Sequence, residues 1–202
     1  MNAFYNIAWY VTRVAMALWF DIRIEGRENI PEQGGALVVC NHRFLKDPVV
    51  LAHAIPPRRK LHFMSKAEWF DNKPFGLLLS ALGVFPINRG EADMAALEKA
   101  AGFIRGGDLV GIFPEGTRSR GDAMGECKNG GFRAALKAGV PVVPVVIDGT
   151  YRAMEANHMW IKPASVKVQV LEPIPTRGMT REESKQIGER VRGLIAAKKG
   201  EV

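Results

Sequence analysis

Residues 37–48 read LVVCNHRFLKDP, and this stretch places a histidine and an aspartate between a buried strand and a helix. Residues 35–40 are predicted to form a short, fully buried strand, because they are uncharged, rich in valine and preceded by a glycine. Asp47 and Pro48 are typical of a helix start. A carboxylate at the cap accepts hydrogen bonds from backbone N–H groups of the first turn, and proline fits there because the N–H that it lacks would have no partner within the helix. We therefore predict a helix over residues 48–54, with His42 in the turn before it.

His42 and Asp47 form a pair with either a catalytic or a structural use. On one continuous helix, residues five apart point about 140° away from each other, so the two side chains meet only if the turn folds back. An aspartate that holds one imidazole nitrogen leaves the other nitrogen free to take a proton from a hydroxyl group. In the structural alternative, Asp47 is only a helix cap and His42 is an ordinary loop histidine. The spacing alone does not choose between these interpretations.

Length and composition indicate a globular protein of one domain. The chain has 202 residues, of which 47% are hydrophobic and 24% are charged, and this composition excludes disordered and collagen-like chains. The formal net charge of +7 favours anionic partners, such as nucleic acid, phosphorylated metabolites or an anionic membrane. Cys40 and Cys127 have no metal-ligand spacing, so we expect reduced thiols of a cytoplasmic protein and no metal site.

Residues 1–20 are predicted to form an amphipathic helix at the membrane surface. A membrane-spanning helix is not expected, because Arg13 in mid-segment costs roughly 2.5–3.5 kcal/mol on insertion. The alternative is that the apolar side of this helix packs on the protein's own domain, since both arrangements bury the same stripe. The stripe recurs at helical spacing and comprises Phe4, Ile7, Ala8, Val11, Val14, Ala15 and Leu18, with Asn2, Asn6 and Arg13 on another side.

The rest of the chain, residues 21–202, alternates strands and helices and is predicted to be a single domain. This alternation is typical of the α/β class, with a central, mostly parallel sheet flanked by helices. The predicted strands cover residues 21–25, 35–40, 60–64, 84–87, 109–113, 142–147 and 166–171. The predicted helices cover residues 48–54, 66–82 with a break near Pro74, 93–104, 131–138 and 180–198.

Polar residues follow two of the predicted strands, and in parallel sheets ligands bind beyond the carboxyl ends of the strands. Arg89 comes just after one strand, and the run FPEGTRSR over residues 113–120 brings Glu115 and Arg118 to the end of another. Gly116 permits a tight turn there. Guanidinium groups at two strand ends suit a phosphate, to which each can donate two hydrogen bonds. Considered alone, each arginine is more simply explained as a solvated surface charge than as a phosphate ligand.

Four blocks in this order resemble the glycerolipid acyltransferase family, which includes the 1-acylglycerol-3-phosphate acyltransferases. The first block is Asn41-His42 followed by Asp47, and the second covers residues 83–89. The third is FPEGTRS over residues 113–119, and the fourth is VPVVPV over residues 140–145. The resemblance extends over about residues 35–150, and the third block is the most specific of the four.

The chain departs from the family pattern at three places. Phe44 stands where the family usually has a small hydroxyl residue, and Lys46 directly before Asp47 is unusual. Both side chains are expected to flank the site and to influence the choice of acceptor. Residues 127–130 read CKNG where the family often has FKKG. None of these departures removes a residue that the chemistry requires.

The resemblance implies an O-acyltransferase that moves a fatty acyl group from an acyl thioester to the free hydroxyl of 1-acylglycerol 3-phosphate, giving phosphatidic acid in phospholipid biosynthesis. In this scheme His42 is the general base and Asp47 holds its ring. The co-substrate is acyl-CoA or acyl carrier protein bearing the acyl group, and no further cofactor is implied. The blocks contain no serine or cysteine placed as a nucleophile beside His42, so direct transfer is expected.

Binding residues for both substrates are expected around this base. The resemblance implies a lysine near the thioester, and Lys66 is the candidate; without the family it is an exposed lysine at a helix start. Glu115 orients either an arginine or a glycerol hydroxyl. The predicted substrate-binding residues are Lys66, Arg89, Glu115, Gly116, Thr117 and Arg118, of which the two arginines and the turn at Gly116 hold the acceptor phosphate.

Lipid substrates imply a peripheral or monotopic protein on the cytoplasmic face of the cell membrane. Besides residues 1–20, the aromatic group of Trp69, Phe70 and Phe75 is a candidate for membrane contact, because such rings favour interfaces. Packing of these rings in the core is the alternative. If the membrane role is correct, residues 1–20 associate with the membrane and residues 21–202 form the acyltransferase domain.

Three alternatives define what the sequence leaves open. Within the family, the acceptor is 1-acylglycerol 3-phosphate or instead glycerol 3-phosphate, another lysophospholipid or an amino-acid lipid. A catalytically inactive membrane-binding protein would lose His42 or Asp47, and this chain keeps both. A nucleic-acid-binding protein would explain the positive charge, but the sequence lacks a recognisable binding motif and aromatic residues interleaved on a basic strand. We therefore expect no nucleic-acid partner.

Overall fold

A seven-stranded sheet forms the centre of the computed structural model, which describes residues 3–88, 93–116, 124–150 and 164–199. Its strands are β1 Phe20–Glu25, β2 Ala36–Cys40, β3 Leu61–Lys66, β4 Val84–Ile87, β5 Leu109–Ile112, β6 Val142–Asp148 and β7 Ala164–Val170. Their order across the sheet is β1-β7-β6-β2-β5-β3-β4. Only the β6–β7 pairing is antiparallel, so the predicted α/β class with a mostly parallel sheet is confirmed.

Helices flank this sheet at the positions that the apolar patterns predict, with one exception described below. The described α-helices are α1 Ala3–Ala17, α2 Asp47–Ala54, α3 Lys73–Ala81, α4 Met94–Arg105, α5 Arg133–Ala138 and α6 Arg181–Lys199. Short 3₁₀ turns lie at Arg27–Asn29, Ala67–Phe70 and Asn129–Phe132.

The predicted helix over residues 66–82 is wrong in its first part. Lys66 is the last residue of β3, where it pairs with Ile87 of β4. A 3₁₀ turn follows, and α3 begins only at Lys73. The break near Pro74 is correct, because proline lies in the first turn of α3 and the Asn72 side chain accepts the backbone N–H of Phe75 at 3.1 Å.

Strand β2 lies between β6 and β5 and is fully buried, as predicted. Its side chains alternate between two hydrophobic clusters on opposite faces of the sheet. Val38 and Cys40 point into the cluster that includes residues of α2, whereas Leu37 and Val39 point into the cluster that includes residues of α4, α5 and α6. Because both faces are covered, the end of β2 has a well-defined position, and the chain leaves it at Asn41.

Helix α1 packs on the domain through the side that carries Tyr5, Trp9 and Met16, and it exposes most of its apolar stripe. The Trp9 indole donates a hydrogen bond to the Ala52 carbonyl oxygen at 2.9 Å, and the Tyr5 hydroxyl accepts one from the Leu61 N–H at 3.3 Å. On the other side, four apolar residues are between 62% and 73% exposed: Ile7, Val11, Val14 and Leu18. The apolar stripe therefore does not pack on the protein's own domain. None of the helices in the described ranges is both long and apolar enough to span a membrane.

Candidate active site

The candidate active site lies at the carboxyl ends of β2 and β5. These two strands are parallel neighbours, and Val39 pairs with Ile112 close to the ends of both. The chain segments that follow them therefore emerge side by side. One segment carries His42 and Asp47, and the other carries Phe113 and Glu115.

His42 and Asp47 come together in the turn between β2 and α2. Nδ1 of His42 lies 3.1 Å from Oδ2 of Asp47. The same Oδ2 accepts the backbone N–H groups of Arg43 and Phe44, each at 2.7 Å. The turn thus folds back around the carboxylate, which is the geometry that a histidine–aspartate pair at this spacing requires.

Asp47 is not the helix cap that the sequence predicted. Helix α2 begins at Asp47 itself, with Lys46 at the N-cap position and no capping bond from a side chain. The Asp47 carboxylate bonds the backbone before the helix instead of the helix N–H groups. Its side chain is 1% exposed, so its negative charge lies in a water-poor position directly beside the imidazole.

The His42 ring is held on one face and partly open to solvent. It stacks on Phe113 with 4.3 Å between the ring centroids and 29° between the planes, and its side chain is 18% exposed. A carboxylate can only accept hydrogen bonds, so Asp47 favours the tautomer that carries the proton on Nδ1. Nε2 is then the nitrogen available to accept a proton. The sequence did not reveal Phe113 as a ring partner, although it begins the specific FPEGTRS block.

Glu115 connects the turn after β5 to the histidine. Its Oε1 accepts the backbone N–H of His42 at 2.9 Å, and its Oε2 accepts the backbone N–H of Gly125 at 2.9 Å. The side chain is buried. Gly116 follows with φ of 70°, so the predicted tight turn is present and requires glycine's freedom. These bonds hold backbone, whereas the predicted orientation of an arginine or a hydroxyl by Glu115 stays a prediction.

Asn41 holds the residue before His42 against the neighbouring strand, a role that sequence reasoning missed. Its Nδ2 donates to the carbonyl oxygen of Ile147 at 2.8 Å, and its Oδ1 accepts the Ile147 N–H at 2.9 Å. The amide is buried and both of its ends are bonded, as buried amides require. The available signal was an amide side chain directly after a fully buried strand.

Lys128 adds a positive charge beside the Gly116 turn. Its Nζ lies 3.5 Å from the point at which a side chain on Gly116 would begin, and its backbone N–H donates to the Pro114 carbonyl oxygen at 3.0 Å. The residue is exposed. Sequence reasoning noted the CKNG run but assigned Lys128 no role, because the contact joins two turns that are separate in the chain.

The remaining predicted site residues have different positions. Lys66 is exposed at the carboxyl end of β3, on the same edge of the sheet as the end of β5. Phe44 was expected to flank the site, but its side chain is buried in the core cluster that includes residues of α2. Lys46 is partly exposed in the turn. Arg89, Thr117 and Arg118 lie outside the described residues.

Comparison with known proteins identifies the family to which the chain belongs. A family model described as acyltransferase matches residues 21–148. The 1-acyl-sn-glycerol-3-phosphate acyltransferase of Bacillus subtilis (strain 168) is 27% identical over 182 residues, which cover 90% of this chain and 88% of that protein. The human 1-acyl-sn-glycerol-3-phosphate acyltransferase beta is 32% identical over 179 residues, and the match covers 86% of this chain but only 63% of the human protein.

A solved structure extends the comparison to the fold. The crystal structure of the 1-acyl-sn-glycerophosphate (LPA) acyltransferase PlsC from Thermotoga maritima superimposes with a TM-score of 0.83 at 26% identity, covering 98% of this chain and 78% of that chain. The resemblance seen in the four sequence blocks is therefore confirmed at the level of fold. The family model covers more than half of the residues, including the His42 turn and the Glu115 turn, and the chain belongs to the acyltransferase family.

Proposed function

We propose that this protein transfers a fatty acyl group from an acyl thioester to the free hydroxyl of 1-acylglycerol 3-phosphate and so produces phosphatidic acid. The observation that carries the proposal is the 3.1 Å contact between His42 and Asp47, in a chain whose relatives are named for this reaction. The human relative is longer than the matched part, whereas the Bacillus subtilis protein is matched over most of its length.

In the proposed mechanism, Nε2 of His42 removes the proton of the acceptor hydroxyl while its oxygen attacks the thioester carbonyl. The carbon–sulfur bond then breaks, and the imidazolium returns the proton to the leaving thiolate, so the products are an ester and a thiol. Asp47 favours the transient imidazolium because its charge is buried beside Nδ1. A well-placed general base contributes about 10²–10⁴-fold.

Direct transfer is preferred to a covalent acyl-enzyme because the cysteine next to this turn is not suited to attack. Cys40 is fully buried, and burial raises the pKa of its thiol well above the ordinary value. A buried neutral thiol is inert, since the thiolate is the nucleophilic form. We therefore propose a single displacement step in which His42 activates the acceptor itself.

The acceptor phosphate is proposed to bind beside the Gly116 turn. Lys128 Nζ lies near this turn, and Arg118 is two residues beyond it in the chain. Lys66 is the last residue of β3 and Arg89 follows β4 in the chain; both supply further positive charge, with Lys66 proposed near the thioester. Thr117 and Glu115 belong to the same turn, and Glu115 acts through the backbone of His42.

The proposal is tested by incubating the purified protein with a panel of lysolipids and labelled acyl thioesters and identifying the product by mass spectrometry. We expect phosphatidic acid from 1-acylglycerol 3-phosphate, and parallel reactions with acyl-CoA and acyl carrier protein identify the donor. Product formed only from glycerol 3-phosphate, another lysophospholipid or an amino-acid lipid would replace the proposed acceptor. Absence of any acylated product from the folded protein would contradict the enzymatic assignment.

We further propose that α1 places the enzyme on the cytoplasmic face of the membrane as a peripheral protein. Most of its apolar stripe is exposed, and its opposite side contacts the domain. Tyr10 and Trp19 are also exposed, and such rings favour the membrane–water interface. Trp69 and Phe75 are exposed as well, which supports membrane contact over core packing for that aromatic group.

Replacing Ile7, Val11 and Leu18 together with glutamine should release the protein from vesicles. Burial of one large apolar side chain contributes about 1.5–3 kcal/mol, so three losses should lower partitioning by more than about a hundredfold. The inner side of α1 is unchanged, and acylation of a short-chain, water-soluble acceptor should persist. Sedimentation with vesicles is measured at high ionic strength, because salt screens the diffuse attraction of the basic surface. Leu194→Gln, on α6, is the matched control; equal sedimentation of the triple variant and the control would assign membrane binding to another surface.

Replacing Arg118 with alanine, and less strongly Arg89, should raise the KM for the acceptor far more than the KM for the thioester. Hydrogen bonds to charged groups are worth roughly 1.5–3 kcal/mol, which corresponds to about a ten- to hundredfold loss of binding. Steady-state kinetics with each substrate varied separately measures the effect. Arg23→Ala, which removes an exposed charge on β1, is the control. Equal changes in both KM values would show that these arginines act elsewhere.

A further inference from the structure

Helices α1 and α2 meet along a seam of polar side chains. Asn6, Trp9 and Arg13 are spaced by three and four residues, so they share the side of α1 that faces the domain. The Trp9 ring meets the ring of His53 in α2 edge to face, with 5.0 Å between centroids. His53 lies six residues after Asp47, about 9 Å along the helix axis. The seam is therefore at the opposite end of α2 from the candidate active site.

Several polar atoms in this seam are buried without a hydrogen-bond partner in the described part of the chain. They are Oδ1 of Asn6, Nη1 of Arg13 and both ring nitrogens of His53, although the Thr12 backbone oxygen lies close enough to the His53 ring to raise its pKa. His53 is 0% exposed. Buried polar groups nearly always have a hydrogen-bond partner, because a buried donor without one lowers the stability of the fold by its full desolvation free energy. The pattern indicates that the seam is built to hold a further polar group.

The seam also gathers positive charge, with no carboxylate paired to it among the residues that the structure describes. Arg27 donates to the carbonyl oxygens of His53 at 2.6 Å and Ala54 at 3.2 Å, which fixes it at the carboxyl end of α2. Burial lowers the pKa of Arg27, and the nearby charge of Arg13 lowers it further. Across the described ranges, no carboxylate forms an ion pair with Arg13 or Arg27. Two adjacent guanidinium groups repel each other unless an anion lies between them.

His53 lies beside the two arginines without adding charge. Burial, followed by the charge of Arg13, lowers the pKa of His53 to about 4. The ring is thus neutral at pH 7 and carries one N–H. Arg13 and Arg27 are each only partly buried, so an anion can approach them from the solvent side while the histidine closes the inner side.

We propose that Arg13 and Arg27, with His53 behind them, bind the phosphate of an anionic phospholipid. Guanidinium groups match phosphate because each can donate two parallel hydrogen bonds. The lipid is the proposed source of the phosphate because the opposite side of α1 exposes apolar residues. In an interfacial helix, the polar flank lies at the level of the head groups. The lipid source rests on the proposed membrane association, whereas the charge cluster itself does not.

The test compares Arg13→Gln with Arg23→Gln, which removes the same charge from an exposed position on β1. Vesicles of phosphatidylcholine alone and vesicles containing phosphatidylglycerol, which is neither substrate nor product of the proposed reaction, are used at high ionic strength. We expect wild type and Arg23→Gln to prefer the phosphatidylglycerol vesicles, and Arg13→Gln to lose about tenfold or more of that preference. The Tm of Arg13→Gln should be unchanged or higher, because no described hydrogen bond is lost and a repulsion is relieved.

The outcomes separate the site from the function proposed above. Equal lipid preference of Arg13→Gln and Arg23→Gln would overturn the site, and a clear fall in Tm of Arg13→Gln would show a structural role instead. In a second arm, inorganic phosphate replaces the vesicles and Tm is measured. If phosphate raises the Tm of wild type but not of Arg13→Gln, and wild type shows no preference for phosphatidylglycerol vesicles, the site binds phosphate but the lipid is not its source. Neither arm requires turnover, so a failed acylation assay contradicts the proposed function alone.

Discussion

Replacing His42 with alanine should abolish acyl transfer while the protein stays folded. A general base contributes about 10²–10⁴-fold, and neither His53 nor His62, the other histidines in the described ranges, lies at this edge of the sheet to replace it. The turn should persist, because Asp47 keeps its hydrogen bonds from the N–H groups of Arg43 and Phe44. Glu115 also keeps its bond to the backbone N–H of residue 42. Initial rates by product mass spectrometry, together with Tm, measure the effect.

Two controls make the result on His42 decisive. Imidazole added to the alanine variant should restore part of the rate, because the removed ring leaves room above Phe113. A glutamine at position 42 should be as inactive as alanine, since an amide cannot accept the proton. Full activity in a folded alanine variant would rule out His42 as the base.

Asp47→Asn should lower kcat by about ten- to a hundredfold with little loss of structure. The two backbone N–H groups that now face Oδ2 require an oxygen there, so they orient the new amide with its oxygen toward His42. The Nδ1 tautomer is then preserved, and the variant loses the negative charge that favours the imidazolium. Charge-assisted hydrogen bonds are worth roughly 1.5–3 kcal/mol. Measurements of kcat and Tm test the prediction.

Asp108→Asn is the matched control for Asp47→Asn. Asp108 Oδ2 lies 3.0 Å from Nε2 of His62, so the two residues form a second histidine–aspartate contact in the described part of the chain. Asp108 directly precedes β5, so this pair lies at the amino end of that strand, whereas the candidate active site lies at its carboxyl end. The control should change Tm without changing kcat. A fall in kcat of similar size in both variants would show that carboxylates act through stability and not through His42.

Local sequence patterns determined the elements of this protein and much of the His42 turn. Each predicted strand lies within two residues of the observed one at both ends, because short apolar runs between glycines, prolines and polar residues leave little choice of conformation. The meeting of His42 and Asp47 was also accessible from the sequence, since both lie in one short turn. The prediction of Asp47 as a helix cap was wrong, because its carboxylate accepts hydrogen bonds from the backbone N–H groups of Arg43 and Phe44, which precede the helix.

The tertiary structure alone decided the arrangements that join distant parts of the chain. Strand β1 pairs with β7, and Asn41 bonds Ile147, although their local sequences contain no information about the partner. The bond from the His42 N–H to Glu115 likewise depends on β2 and β5 being neighbours. The apolar stripe of α1 was evident from its spacing, but which side faces the domain was not, because helical periodicity defines the two sides and not the surface that each one meets.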